Sequence, residues 1–259
     1  MYATERHRLI ERLLLEDGRV SVVDLARRFA VTTETVRRDL DLLEGEGALR
    51  RVHGGAVARE RGSTSEPSLT ERLGSRGESK TAIAARALAA VGSDFRGSIF
   101  FDAGTTTGAV AALLVDSGPR PGVEAVTHAL QLAQTLATGE GLGLTVIGGR
   151  VRGVTGAAVG ADTVHAIEGF RPDIAFVGTN GLSAGFGLST PDPDEAAVKR
   201  AIVAGARRVV VVADADKLGR ELLVGFAPLD AIDVLVTDAA PDHQLSVALD
   251  DAGVEVWRA

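Results

Sequence analysis

The 259-residue sequence contains no cysteine and few aromatic residues. The lack of cysteine excludes disulfides, thiolate metal sites and cysteine nucleophiles. Aromatic residues make up 4% of the chain, so alanine, valine and leucine have to fill its core. The sequence also lacks a signal-peptide core and any run of about 18 apolar residues, which predicts a cytoplasmic protein without a membrane span. Its five histidines show no metal-ligand spacing, so we expect no metal site.

Lysine is scarce too, and this scarcity marks three positions. Lys80, Lys199 and Lys217 are the only lysines among 28 basic residues. Where arginine is so strongly preferred, each lysine is a candidate for a place that requires an ammonium group. The net charge is −7, but residues 1–60 are neutral and the whole acidic excess lies beyond them. A neutral N-terminal segment with clustered arginines is compatible with binding to DNA.

Apolar periodicity predicts three short helices near the N-terminus. The first spans about 5–16, the second begins after Ser21, and the third spans about 33–44. Two β-prone runs around His53 then predict a hairpin. Three helices followed by a hairpin are typical of a winged helix-turn-helix, which we place at residues 1–57.

The third helix is the candidate DNA reader, because the second helix of such a pair lies in the major groove. If Val36, Leu40 and Leu43 face the core, the charged side chains face outward. Arginine can bridge guanine, and glutamate can accept a hydrogen bond from cytosine. The DNA-contact candidates on the helix and hairpin are Thr33, Glu34, Thr35, Arg37, Arg38, Arg50, Arg51 and His53. Charged outer faces are commonly just solvated, so periodicity alone leaves both interpretations open.

The residue identities in this segment favour the DNA-binding interpretation. Residues 18–57, GRVSVVDLARRFAVTTETVRRDLDLLEGEGALRRVHGGAV, resemble the DNA-binding domain of the DeoR family of repressors. The matches include Val20–Val22, Leu25, Ala26, Phe29, Thr35, Arg37–Leu40, Leu43, Glu44, Gly47, Leu49 and Arg51–Ala56. Asp24 and Thr32 replace a typical glutamate and a typical serine. The resemblance implies a transcription regulator whose partner is double-stranded operator DNA.

A polar stretch follows the hairpin, and beyond it strand-like and helical runs alternate. Residues 58–77 are rich in Gly, Ser and charge, which predicts a linker. From residue 78 to 259, seven strand-like runs alternate with alanine-rich helical runs. This alternation predicts a mostly parallel α/β sheet with helices on its faces.

Several loops after these strands carry residues suited to binding an anion. The loop Asp102–Thr107 (DAGTTT) precedes a helix, where free backbone N–H groups favour phosphate, although its threonines could simply cap that helix. Asn180 lies in an Asn-Gly pair, which is first of all a turn signal. In open α/β sheets, ligands bind beyond the carboxyl ends of the strands. The effector candidates are therefore Asp102, Gly104, Thr105, Thr106, Thr107, Thr127, Gly178, Asn180, Lys199, Asp214 and Lys217.

The same half of the chain is similar to DeoR sensor domains. The matching segments are Lys80–Ala84, Asp102–Thr107, Thr127–Ala129, Gly148, Gly149, Gly178, Lys199–Ala201 and Ala213–Gly219, and they include all three lysines. The resemblance implies a fold related to ribose-5-phosphate isomerase and glucosamine-6-phosphate deaminase, a phosphorylated sugar or polyol as effector, and a homo-oligomer. His128 and Asp216 depart from the family pattern and bear on effector selectivity.

Two functions follow from these patterns. The first is a repressor of a sugar or polyol operon that leaves its operator when the effector binds. The alternative is a sugar-phosphate isomerase or deaminase with a DNA-binding arm, for which Asp102, Asp214 or Asp216 would supply the base. No nucleotide cofactor is expected, because the P-loop-like run 74–81 has Ser79 in place of its second glycine and no dinucleotide fingerprint occurs.

Overall fold

The computed structural model describes residues 3–45, 48–58 and 62–259. The chain divides into two compact units, residues 1–61 and 62–259. Across these described ranges, no helix is both long and apolar enough to cross a membrane.

The first unit contains three helices and a small antiparallel sheet. Its elements are α1 (Ala3–Asp17), β1 (Arg19–Ser21), α2 (Val22–Phe29), α3 (Thr33–Gly45), β2 (Leu49–Val52) and β3 (Gly55–Ala58). The strands are ordered β1-β3-β2. The predicted helices and hairpin are confirmed, and we call the β2–β3 hairpin the wing. Strand β1 was not predicted, because a three-residue strand forms only through its pairing with β3.

One apolar core joins the three helices of this unit. Ile10 of α1, Phe29 of α2, and Val36 and Leu40 of α3 are all buried within it. The side chain of Ser21 caps α2 by accepting a hydrogen bond from the backbone of its first turn. The apolar stripes predicted from helical spacing therefore face the core.

A buried charged cluster also fastens α1 to α3. Asp39 accepts hydrogen bonds from Arg6 Nε at 2.7 Å and Arg6 Nη2 at 2.9 Å, and His7 Nε2 lies 2.8 Å from the same carboxylate. Burial alone would raise the pKa of Asp39, but its hydrogen bonds with Arg6 and His7 lower that pKa below the usual value. Asp39 therefore stays ionised and holds the two helices together.

The second unit alternates helices and strands. Its helices are α4 (Leu69–Gly74), α5 (Gly77–Ala87), α6 (Thr105–Asp116), α7 (Leu130–Leu136), α8 (Ala161–Glu168), α9 (Pro193–Gly205) and α10 (His243–Asp251). Its strands are β4 (Gly97–Phe101), β5 (Val123–Thr127), β6 (Leu142–Val146), β7 (Arg150–Arg152), β8 (Ala157–Val159), β9 (Ile174–Gly178), β10 (Gly181–Ser183), β11 (Gly187–Thr190), β12 (Val209–Val212), β13 (Val224–Ala227), β14 (Val234–Thr237) and β15 (Glu255–Arg258).

Seven of these strands form one parallel sheet, and they are the seven that the apolar runs predict. Their order is β15-β14-β12-β9-β4-β5-β6, with each neighbouring pair parallel. Phe100 and Phe101 are fully buried and belong to core clusters on opposite faces, as alternation along a strand requires. The chain progresses from β4 to one edge and from β9 to the other. The strand order therefore reverses between β4 and β9, where open α/β sheets bind their ligands.

Smaller antiparallel pieces complete the second unit. Strands β7 and β8 form a hairpin, and β10, β11 and β13 form a three-stranded sheet. These strands were not predicted, since they are only three or four residues long and β13 pairs with β11 across a distant part of the chain.

The predicted linker of residues 58–77 needs correction from residue 62 onward. It contains α4, which begins with a capping box in which the Ser68 side chain and Glu71 bond each other's backbone N–H groups. Residues 62–77 belong to the second unit. We call residues 62–76 the arm. The linker prediction overlooked the capping box, which is visible as Ser68 followed three residues later by Glu71.

Candidate functional site

A pocket lies at the carboxyl ends of β4, β9 and β12. Its walls are the loops that follow these strands, parts of the arm, and side chains of α5 and α9. The lining residues are Arg72, Ser75, Lys80, Asp102, Ala103, Gly104, Thr105, Thr106, Thr107, His128, Thr155, Gly178, Thr179, Asn180, Glu195, Lys199, Val212, Ala213, Asp214 and Lys217. The pocket therefore occupies the point where the strand order reverses.

Asp102 and Lys199 form a buried ion pair at the floor of this pocket. Lys199 Nζ donates to Asp102 Oδ2 and, at 2.9 Å, to the carbonyl oxygen of Gly178. The backbone N–H of Gly178 also donates to Asp102 Oδ2, at 2.9 Å. Burial alone would raise the pKa of Asp102, but the neighbouring Lys199 and His128 lower it below its ordinary value. The ionised pair thus joins the loops that follow β4 and β9.

His128 is the third member of this cluster. Its Nδ1 lies 2.8 Å from the carbonyl oxygen of Ala158, to which it must donate. Its Nε2 lies 3.2 Å from Asp102 Oδ1 and 3.3 Å from the backbone nitrogen of Ala103. A neutral ring accepts the Ala103 N–H, whereas a protonated ring donates to Asp102. His128, a departure from the family pattern, thus sets the surroundings of Asp102.

The loop Asp102–Thr107, which we call the threonine loop, does not cap the N-terminus of α6. The N-cap residue of α6 is Gly104, which has no side chain to cap the helix, and Thr107 Oγ1 donates to the carbonyl oxygen of Gly104 at 2.9 Å. The alternative that the threonines cap this helix is therefore wrong. Thr105 and Thr106 line the pocket beside the helix N-terminus. Free amides and the positive end of a 12-residue helix favour an anion there.

Two lysines add positive charge to the pocket. Burial lowers the pKa of both Lys80 and Lys217, while Asp214 opposes this effect in each case. Lys217 also lowers the pKa of Lys80, because the two ammonium groups repel each other. An anion bound beside both lysines would reduce this repulsion.

Most of the predicted effector residues meet in this pocket, and Thr127 is the exception. It is fully buried, and its Oγ1 donates to the carbonyl oxygen of Phe101 at 2.8 Å and accepts from the backbone N–H of Ala129 at 3.2 Å. Thr127 therefore links β4 to β5 instead of facing a ligand. A residue at the end of a strand can face either the core or the pocket. The sequence pattern therefore did not show that Thr127 faces the core.

The pocket also includes residues that the sequence analysis missed. Arg72 and Ser75 come from the arm, Thr155 from the β7–β8 turn, and Glu195 from α9. Glu195 lies one helical turn before Lys199, whereas the other three lie outside the predicted loops, and only the tertiary structure brings all four side chains into one pocket. Lys80 carried a signal, because it is one of only three lysines.

In the first unit, α3 exposes the charged face that the sequence predicts. The side chains of Arg37 and Arg38 are 56% and 80% exposed, and each lies 3.7 Å from a carboxylate oxygen of Glu34. Thr33 is exposed and Thr35 is half-buried. Ion pairs this exposed contribute little and can be exchanged for contacts with a duplex.

Arg51 has a different position from the other candidates in the wing. Its Nη1 lies 3.0 Å from Asp41 Oδ1 and donates to the carbonyl oxygen of Arg37 at 3.1 Å. These contacts tie the wing to α3, so Arg51 supports the DNA-binding surface from within. Arg50 and His53 are exposed on the wing.

Comparison with known proteins decides the family. A sequence model described as the DeoR-like helix-turn-helix domain matches residues 6–61, and one described as the DeoR C terminal sensor domain matches residues 75–239. The chain belongs to the DeoR family. The expected division of this DeoR-family chain into DNA-binding and sensor parts thus has matches on both sides.

Two curated relatives of this DeoR-family chain cover it almost completely. The HTH-type transcriptional regulator GlpR of Haloferax volcanii is 38% identical, covering 98% of this chain and 96% of its own. The glycerol-3-phosphate regulon repressor of Escherichia coli K12 is 32% identical, covering 99% of each chain. Both are named as transcription regulators, which confirms the interpretation of the chain as a regulator rather than an enzyme. Ribose 5 phosphate isomerase A of Neisseria gonorrhoeae is 15% identical with a TM-score of 0.39, covering 54% of this chain and 53% of its own.

Proposed function

We propose that this DeoR-family regulator represses a sugar or polyol operon and leaves its operator when a phosphorylated sugar or polyol enters the pocket. The observation that carries this proposal is the pocket itself, which contains an uncapped helix start, the ammonium groups of Lys80 and Lys217, and the buried ion pair of Asp102 with Lys199. Such a site combines groups for a phosphate with groups for hydroxyls.

The operator side of the proposal rests on the outward face of α3. Arg37 or Arg38 bridges guanine, Glu34 accepts from cytosine, and Thr33 contacts phosphate at the helix start. The exposed Arg50 of the wing contacts the DNA backbone. A homo-oligomer, dimer or tetramer, would place two such helices in half-sites about 34 Å apart.

In the proposed complex, the effector contacts several of the groups that line the pocket. The phosphate binds to the first amides of α6, the hydroxyls of Thr105 and Thr106, and the ammonium group of Lys217. Asp214 and the Asn180 side chain are suited to sugar or polyol hydroxyls. The name of the Escherichia coli relative makes glycerol 3-phosphate one candidate, with fructose 1-phosphate as another.

The test selects the operator first and then looks for its release. Full-length protein at physiological salt selects duplexes from a random library, and the enriched duplex is used in gel shifts. We expect a phosphorylated sugar or polyol to release this duplex and its unphosphorylated counterpart to have no effect. Failure to enrich any specific duplex contradicts the repressor function, and release by the unphosphorylated compound contradicts the phosphate site.

A further inference from the structure

Three side chains of the pocket come from the segment that precedes the parallel sheet. Arg72 lies in α4, Ser75 follows it, and Lys80 lies near the start of α5. In the sequence, the arm directly follows the first unit. A ligand that touches these side chains therefore touches the segment that leads to the DNA-binding unit.

The arm is attached to the second unit mainly through polar contacts. Helix α4 has no buried residue, and its Leu73 is 56% exposed. On either side of α4, Glu66 accepts from Arg152 at 2.6 Å and Arg76 donates to Asp216 at 2.6 Å. Segments with little buried apolar surface open at a lower free-energy cost than core elements. We therefore expect the arm to open at a lower free-energy cost than the strand ends in the pocket wall.

Lys80 connects the arm to the interior of the pocket. Its Nζ donates to the carbonyl oxygen of Arg72 and, at 2.6 Å, to that of Ser75. These carbonyls lie at the end of α4, where a helix lacks internal partners. An ammonium group has three N–H donors, so one of them is left for a ligand. Lys80 can thus hold the end of α4 and a bound anion at the same time.

Two further donors in the pocket wall have no hydrogen-bond partner among the described residues. Thr155 is 8% exposed, and its Oγ1 has no hydrogen-bond partner in the ranges that the structure describes. The same holds for the buried Nε of Arg72. Both residues line the pocket. Buried polar groups are normally paired, and phosphate oxygens accept hydrogen bonds from both hydroxyl and guanidinium groups.

We propose that Arg72, Lys80 and Thr155 bind an anionic group of the effector, so that an occupied pocket holds the arm in place. This inference rests on the proposed function and adds its regulation. When the effector leaves, the arm is held mainly by its polar contacts with the second unit. An arm fixed by the effector restricts the positions available to the DNA-binding unit, which lowers the affinity for the operator.

Hydrogen exchange of the full-length protein, followed by mass spectrometry, tests this inference. The probes are glycerol 3-phosphate and fructose 1-phosphate, with glycerol and fructose as negative controls. We expect a saturating phosphorylated probe to slow exchange in peptides covering residues 62–80 by roughly tenfold or more, and to leave α10 almost unchanged.

A variant separates ligand binding by Arg72 from a structural role. Arg72→Ala should weaken probe binding by roughly tenfold or more, because a charge-assisted hydrogen bond is lost, and Arg72→Lys should restore part of it. The matched control is Arg120→Ala, which also removes an arginine that donates to a backbone carbonyl, that of Gly92. Arg120 does not line the pocket, so the control should bind the probe normally.

The possible results distinguish failure of the arm's role from failure of the proposed function. Unchanged exchange in the arm, with a probe that raises the melting temperature, overturns the role of the arm and leaves the proposed function intact. An Arg72→Ala protein that is less stable but binds the probe normally also overturns it, because Arg72 is then only structural. If neither phosphorylated probe binds, the proposed function fails for these effectors and the arm's role fails with it.

Discussion

Lys199 and Asp102 are 97 positions apart in the sequence and form an ion pair whose side chains are 6% and 1% exposed. The carboxylate also accepts from the backbone of Gly178, so the pair joins the two strands at which the sheet order reverses. Two charges taken from water require this degree of pairing, because an isolated buried charge is very costly.

Removing one partner of this pair should be worse than removing both. Lys199→Met leaves the buried Asp102 carboxylate without its ammonium partner, which we expect to lower the free energy of unfolding by about 3–5 kcal/mol. The double variant Asp102→Asn with Lys199→Met should recover much of that loss. Urea unfolding followed by circular dichroism measures both, and a double variant no more stable than Lys199→Met would contradict this interpretation.

The Asp39 cluster predicts a pH dependence in the first unit. Because the pKa of Asp39 is lower in the folded state, its contribution to stability is present above its unfolded pKa of about 3.9 and is lost as the pH falls through the folded value. Asp39→Asn should therefore be less stable than the wild type at pH 7. The gap should narrow in acid.

Urea midpoints at pH 7 and in acid check this dependence. Arg6→Met should lose the same pH-dependent contribution, because Arg6 is the main hydrogen-bond partner of Asp39. A gap between wild type and Asp39→Asn that stays constant with pH would show that Asp39 acts through packing alone.

Arg38, on the outward face of α3, provides a test of the operator contact. Arg38→Ala should weaken specific binding by roughly 5- to 150-fold if its guanidinium bridges a guanine. Arg207 is the matched control, because it is an exposed arginine with a single carboxylate 3.6 Å away in the second unit. Fluorescence anisotropy with the selected duplex measures both, and equal losses for Arg38→Ala and Arg207→Ala would point to general charge rather than base contact.

Substitution of Thr106, which lines the pocket, should weaken the response to the effector without changing operator binding. Thr106→Val should leave operator affinity unchanged and raise the effector concentration for half-release by roughly tenfold or more, since a hydrogen bond to phosphate is lost. Thr138→Val is the control, because its hydroxyl donates to the carbonyl oxygen of Thr135 at 2.7 Å and it is not a lining residue of the pocket. Normal induction of the Thr106 variant would show that the threonine loop does not bind phosphate.

Position 55 in the wing has no room for a side chain larger than that of glycine. A Cβ atom there would lie 2.0 Å from the backbone oxygen of Val20, in the strand that pairs with β3. Gly55→Ala should cost about 1–3 kcal/mol, because neither backbone can move cheaply, and should weaken operator binding with it. Gly45→Ala is the control, since no atom of the described, non-adjacent residues lies within 4 Å of the added Cβ. A Gly55→Ala protein with wild-type melting temperature would contradict the tight β1–β3 contact.

Much of the fold was predictable because its signals are local. Apolar runs such as 209–212 predicted all seven parallel strands, and helical spacing predicted the buried stripe of Val36, Leu40 and Leu43. Turn glycines and the three rare lysines marked the loops and helices around the pocket. These signals lie within a few residues of one another, so side-chain size, polarity and spacing are enough to express them.

The tertiary structure decided which of these elements meet. The pairing of β4 with β9 brings Asp102 to Gly178, and the packing of the arm adds Arg72 to the pocket. It also turned Thr127 into the core and Arg51 onto α3. Partner choice between segments tens of residues apart depends on the burial and hydrogen bonding of the whole unit, which no local pattern records.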